Sequence, residues 1–248
     1  MSDAPTPQAA PAPAPGGFFQ NLVDVYFSPR EAFARILRAP GFLIPLVCHI
    51  ALALLFSGVW LGKMDAKEFM KAQLEESGQW DKIPADRRDV IIEGAEGRIR
   101  LFGWLGPPIF TPLLVLVVAG TLMGVFRFFY ASEVGFKQSM AVVAWSFFAL
   151  AVVTTPLMLL VFQLKGDWNL NPQEVLQANL GLLVEKSATA KPLWALLTSI
   201  DIFSLWIVLL LAIGFGVASK RTTGSALWGV AIPWLLIVAI KVGWAAIF

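Results

Sequence analysis

Residues 113–119 read LLVLVVA and residues 207–213 read IVLLLAI. A membrane-crossing strand alternates apolar and polar side chains over about ten positions. These runs do not alternate. They are continuously apolar, as a helix in hydrocarbon is, because only closed backbone hydrogen bonding is tolerated there. Working outward from them, five apolar stretches appear, at 41–62, 101–126, 138–164, 192–219 and 225–248. Each has 18 or more residues, long enough at about 1.5 Å per residue to cross about 30 Å of hydrocarbon. Three carry no charge; Asp201 in the fourth and Lys241 in the fifth are the exceptions. The pattern predicts an all-α, polytopic membrane protein. Its membrane domain, 41–248, is a bundle of five transmembrane helices at about 41–62, 104–126, 138–163, 195–219 and 225–247.

The composition points the same way. Hydrophobic residues make up 57% of the chain and charged residues 15%, against about 25% charged in a typical soluble domain. A net charge of +2 gives no electrostatic reason to expect nucleic acid. The single cysteine, Cys48, excludes an internal disulfide and a cysteine metal cluster, and reads as a small buried hydrophobe. No cleavable leader is expected, since the first apolar run begins only near Gly41 and is longer than a signal-peptide core.

Residues 1–17, MSDAPTPQAAPAPAPGG, form a Pro/Ala tract that cannot bury a core, and a disordered tail is expected. The next segment, 18–40, contains Ser28-Pro29-Arg30-Glu31. Ser28 suits a helix cap, Pro29 the first helical position and Glu31 the third residue after the cap. Phe33, Ile36 and Leu37 share one side, and Arg30, Arg35 and Arg38 lie elsewhere. This amphipathic helix either lies in the membrane interface with its arginines at the headgroups or packs on the bundle surface.

The linker 63–100 holds 8 Lys/Arg and 9 Asp/Glu. It reads as two helices, 64–77 ended by Gly78 and 84–100, forming an extramembrane hairpin over one face of the bundle. Mixed charges of this kind make a solvated surface. In the linker 165–191, Asn171-Pro172-Gln173-Glu174 repeats the cap pattern, with Asn171 as cap and Glu174 three residues on. It leads into Val175, Leu176, Leu180, Leu182 and Leu183, predicting a second interfacial helix.

Lys/Arg counts alone leave the orientation open. The two tight turns, 127–137 and 220–224, are basic, and Trp60, Trp104, Trp168, Trp194 and Trp244 gather at the opposite level. An aromatic belt at that level favours a cytoplasmic N-terminus and an external C-terminus.

Ionisable groups inside spans are functional candidates. Asp201 and Lys241 reach similar depth on consecutive helices, so either they pair across the spans or each snorkels separately to the interface. His49, in the first span, is the only histidine and is no metal site by itself; it reads as a packing residue or, more sharply, as a proton carrier. Gly120 and Gly124 form a small-xxx-small motif that permits close helix approach, and Gly214 and Gly216 could serve the same end. Pro107, Pro108, Pro112, Pro156 and Pro233 read as kinks. No nucleophile–base arrangement, phosphate loop, acid pair or ligand set is visible. Neither enzymatic activity, nor a cofactor, nor a bound metal is expected.

Several short motifs resemble those of the Yip-one domain family (Ypt/Rab-interacting-protein type), in its bacterial-type branch. They are Ser28-Pro29-Arg30-Glu31-Ala32-Phe33, the turn and span from Gly135 to Ala144, and Ser199-Ile200-Asp201-Ile202-Phe203-Ser204-Leu205-Trp206 followed by Ala212-Ile213-Gly214. The resemblance runs from about Phe18 to the end. It implies five membrane helices and a cytoplasmic N-terminus. Eukaryotic members associate with small GTPases in membrane traffic, but this chain lacks their Asp-Leu-Tyr-Gly-Pro signature, which argues against a GTPase partner. The expectation is a non-enzymatic scaffold or adaptor of a bacterial inner membrane. It would contact lipid and other membrane proteins or copies of itself. The rival reading is a small transporter or channel subunit in which His49, Asp201 and Lys241 face a cavity.

Overall fold

The computed structural model describes residues 16–176, 178–185 and 188–247; most of the expected tail lies outside them. The helices are α1 (Phe18–Phe27), α2 (Pro29–Ile36), α3 (Leu43–Lys63), α4 (Ala66–Glu76), α5 (Ala85–Tyr130), α6 (Phe136–Lys165), α7 (Pro172–Val175), α8 (Lys191–Ser199), α9 (Ile202–Ala218) and α10 (Thr223–Ile247). Among the described residues, extended pairing is confined to one isolated antiparallel bridge, Asn179 with Asp201.

Four helices are long and apolar enough to cross a membrane: α3, α5, α6 and α10. The fourth apolar stretch is different. It is not one helix over 195–219 but two, α8 and α9, broken at Ile200-Asp201. The cause is a cap hidden in apolar sequence. Asp201 accepts hydrogen bonds from the backbone N–H groups of Phe203 (2.8 Å) and Ser204 (2.9 Å), which starts a new helix at Ile202. The 17 residues of α9 measure about 26 Å.

The hairpin also differs from expectation. Its first arm, α4, ends where expected, with Gly78 at φ 64°, a conformation glycine adopts without penalty. Its second arm is not a separate helix. It runs straight into the second span as the 46-residue α5. Ile99-Arg100-Leu101-Phe102 offers neither cap nor breaker, so only the solvent changes there, not the backbone. The start of α4 stays against the bundle, where Asp65 N–H and Glu68 both bond to Asn169. Lys67 of α4 and Glu93 of α5 pair at 3.9 Å across it.

α6 is the axis of the bundle. Its first half packs with α1, α5 and α9, and α2 joins through α9 and Phe33, in a core containing Val25, Phe33, Val115, Phe126, Val142 and Phe215. Its second half runs beside α3. Trp145 Nε1 donates to the Gly41 carbonyl (3.1 Å) just before α3, and Lys63 at the far end of α3 donates to Gln163 (3.2 Å). A smaller core of Trp60, Leu61, Met64, Ala66, Phe162 and Val175 closes that end.

In the segment 18–40 the helix expected after Ser28 is α2, and a further helix, α1, precedes it. Ser28, in a non-helical conformation, separates α1 from α2. The exposed face of α1 carries Phe19, Val23 and Phe27, while Val25 on the other face is fully buried. Arg35 does not reach outward as expected for a headgroup contact. It turns back to form an ion pair with Asp24 and a 3.3 Å hydrogen bond with Asn21, tying α2 to α1.

Candidate functional site

The three polar residues inside apolar stretches have three different settings. Asp201 is a helix cap. Besides the two backbone groups, its second carboxylate oxygen accepts from the Ser204 hydroxyl. The backbone on either side is also satisfied: Leu180 N–H donates to the Ile200 carbonyl (3.3 Å) and Ile202 N–H to the Ala178 carbonyl (3.2 Å). The loop after α7 thus supplies the partners that a broken helix lacks.

Lys241 does not pair with Asp201. Its ammonium donates to the Ser199 hydroxyl at 3.1 Å, and among the described residues no ion pair joins it to a carboxylate. It lines a cavity of about 600 Å³ between α8, α10 and the loop, together with Glu174, Asn179, Lys191, Trp194 and Thr198. Neither Asp201 nor His49 lines this cavity.

His49 sits on α3, a helix that packs on α5 and α6. Its Nδ1 is buried and has no hydrogen-bond partner among the described residues. The three residues thus do not line a common cavity, although Lys241 bonds to Ser199, two residues before Asp201.

The expected packing glycines divide. A Cβ added at Gly120 or Gly124 would meet nothing within 4 Å, so this motif is not where helices touch. A Cβ at Gly214 would lie 2.4 Å from Val142, with Phe33 at 3.4 Å; α2, α6 and α9 converge there. Gly216 lies against the turn into α10, with the Arg221 carbonyl 3.3 Å from such a Cβ. The sequence did not single out Gly58 against Trp104, Gly103 against Leu61, or Gly229 against Phe126. These glycines pair with large side chains on another helix, and spacing along one helix carries no sign of that.

The caps divide as well. Asn171 accepts from Gln173 N–H at 3.0 Å, with Glu174 in the first turn of α7. Yet α7 is a single turn, and the expected interfacial helix continues only as a 3-10 turn, Leu180–Leu183. The intervening backbone bonds to the break at Asp201 instead. Ser28 stands at the cap position of α2 without a side-chain hydrogen bond, and Glu31 lies in the first turn.

The prolines expected to kink helices lie inside α5, α6 and α10 without ending them. On the face carrying α1 and α2, a second cavity of about 670 Å³ is lined by Phe18, Asn21, Phe42, Lys137 and Trp145. Tyr26, on α1, donates to the Ala149 carbonyl at 2.7 Å, and burial pushes its hydroxyl up to about 12. On the hairpin face, Trp60 Nε1 donates to the Trp168 carbonyl (3.0 Å), Trp168 stacks on Phe162, and Lys63 lies 4.4 Å over the Trp168 ring.

The family model of the Yip1 domain matches residues 23–244. No curated protein and no solved structure matches the chain.

Proposed function

The chain belongs to the Yip1 domain family, and from that premise we propose that it is a non-enzymatic scaffold or adaptor of a bacterial inner membrane. It is an integral membrane protein, with helices long and apolar enough to span. In this reading α3, α5, α6, α9 and α10 all cross, α9 reaching about 26 Å with its 17 residues. The N-terminus is cytoplasmic and the C-terminus external. The α1–α2 pair lies at the cytoplasmic interface, with Phe19, Val23 and Phe27 in the lipid. The basic turns on that side and the aromatic cluster of Trp60 and Trp168 on the other support this orientation.

The observation that carries the adaptor reading is the make-up of the bundle centre. The first half of α6 is packed all round by Phe33, Phe126, Phe215 and small apolar residues, and His49, Asp201 and Lys241 do not line a common cavity. Binding work then falls to the surfaces: the tail, the exposed stripe of α1 and the hairpin of α4 and α5. A small transporter or channel subunit is the second reading, favoured by the unpartnered buried Nδ1 of His49.

The test is proximity labelling from the N-terminal tail of the full chain in its native membrane. One dominant membrane-protein partner is the expected result. Labelling no stronger than that of an unrelated tail-anchored control overturns the adaptor reading.

A further inference from the structure

We propose that the cavity between α8 and α10 binds the anionic head group of a membrane amphiphile, with Lys241 as its counter-ion. The inference is independent of the adaptor reading.

Lys241 is the one charge in α10. Lys241 is exposed, and a charge within an apolar span persists where something compensates it. Here the compensation within the protein is a neutral hydroxyl, that of Ser199. An ammonium has three donors, so two remain for a ligand. The cavity beside it holds about 600 Å³, large enough for a phosphate or carboxylate head group. Its wall supplies further polar groups: Lys191 and Thr198 on α8, and Glu174 and Asn179 from the loop.

The wall is built, not incidental. The Asn179 side chain accepts from Gly181 N–H at 2.9 Å. A Cβ at Gly181 would lie 3.0 Å from Thr198 and 3.5 Å from Trp194, so the loop is pressed against α8. The bridge from Asn179 to Asp201 anchors the same loop from behind.

The ligand is an amphiphile because of what flanks the ammonium. Residues three and four apart are neighbours on a helix surface. Along α10, Lys241 therefore stands between Ile237 and Trp244, which are 66% and 63% exposed. A cavity with polar groups in its wall, sharing Lys241 with an exposed apolar stripe of the same helix, fits a molecule with a charged head and an acyl chain. A wholly soluble anion would use the cavity and leave the stripe bare.

The test is native mass spectrometry of the full chain in detergent, titrated with phosphatidylglycerol or phosphatidylcholine and challenged with glycerol phosphate as the soluble head group. The expected result is phosphatidylglycerol retained about fivefold more strongly than phosphatidylcholine, the factor one lysine adds at an anionic surface. Lys241→Met is expected to abolish the preference and Lys241→Arg to keep it, with circular dichroism unchanged. Ile237→Ser is expected to weaken retention of both lipids. Equal retention of the two lipids, or a preference that survives Lys241→Met, overturns the proposal. So does competition by glycerol phosphate as effective as that by the lipid.

Discussion

Between residues 139 and 151, α6 is buried at eleven positions; from 152 to 165 it is buried at two, Thr155 and Phe162. Both halves are apolar, and neither carries a charge before Lys165. They differ in size. The first half contains Ser139, Ala141, Ala144, Ser146, Ala149 and Ala151, whereas the second contains no alanine, serine or glycine and is dominated by leucine, valine, methionine and phenylalanine. Lipid tails are as apolar as leucine, so apolarity cannot tell a protein neighbour from a lipid one. Side-chain volume can. Small residues let α1 and α9 come close to the first half, and the large ones of the second half fill the space toward lipid.

This comparison can be broken by substitution, with thermal unfolding in detergent as the measurement. Phe33→Ala should have the largest effect, about 3–5 kcal/mol, because Phe33 is fully buried where α2 meets α6 and α9. An effect below about 1 kcal/mol would mean that α2 does not hold the wrapped half. Next come Gly214→Ala and Ala144→Leu, each expected to cost about 1–3 kcal/mol by overpacking, since Val142 lies 2.4 Å from an added Cβ at Gly214 and Ala144 is buried. Asp201→Ala, which removes a helix cap, should cost about 1 kcal/mol. It should also loosen the loop at 178–184, measured as faster amide hydrogen exchange there.

Tyr26→Phe should cost about 1 kcal/mol, the worth of one hydrogen bond. Its pH dependence has a definite sign. A tyrosine raised from 10 to about 12 is held neutral by the fold. The stability it contributes is present below pH 10 and is lost as the pH rises from 10 toward 12. The Phe variant should lack this part of the alkaline loss. Leu160→Ala, in the lipid-facing half, should stay within about 0.5 kcal/mol. A cost as large as that of Ala144→Leu would sink the distinction between the two halves.

The all-helical class and the membrane character were legible, because a charge-free run of 18 or more residues has one stable solution in hydrocarbon. The break at Asp201 was less so. An apolar window counts Asp201 as one charge to be matched across the bundle. A window centred on Asp201 and Ser204 would have read a cap, the more local use of the same carboxylate. The junction at residues 99–102 misled in the opposite way: the change from charged to apolar looked like a boundary, yet helix continuity depends on caps and breakers, and none is there. The packing glycines were out of reach, since Gly103 and Gly229 matter through Leu61 and Phe126 on other helices. The setting of Lys241 was legible as an anomaly and no further. Its cavity is made by a loop whose course depends on the break at Asp201.

The unbroken α5 has a mechanical consequence. Its first 16 residues, 85–100, project about 24 Å beyond the apolar stretch, and α4 is clamped to them. A helix bends little over that length, so a tilt of about 5° between the lipids displaces the tip by about 2 Å. With no break between span and rod, the charged surface of the hairpin shares the tilt of the span beneath it.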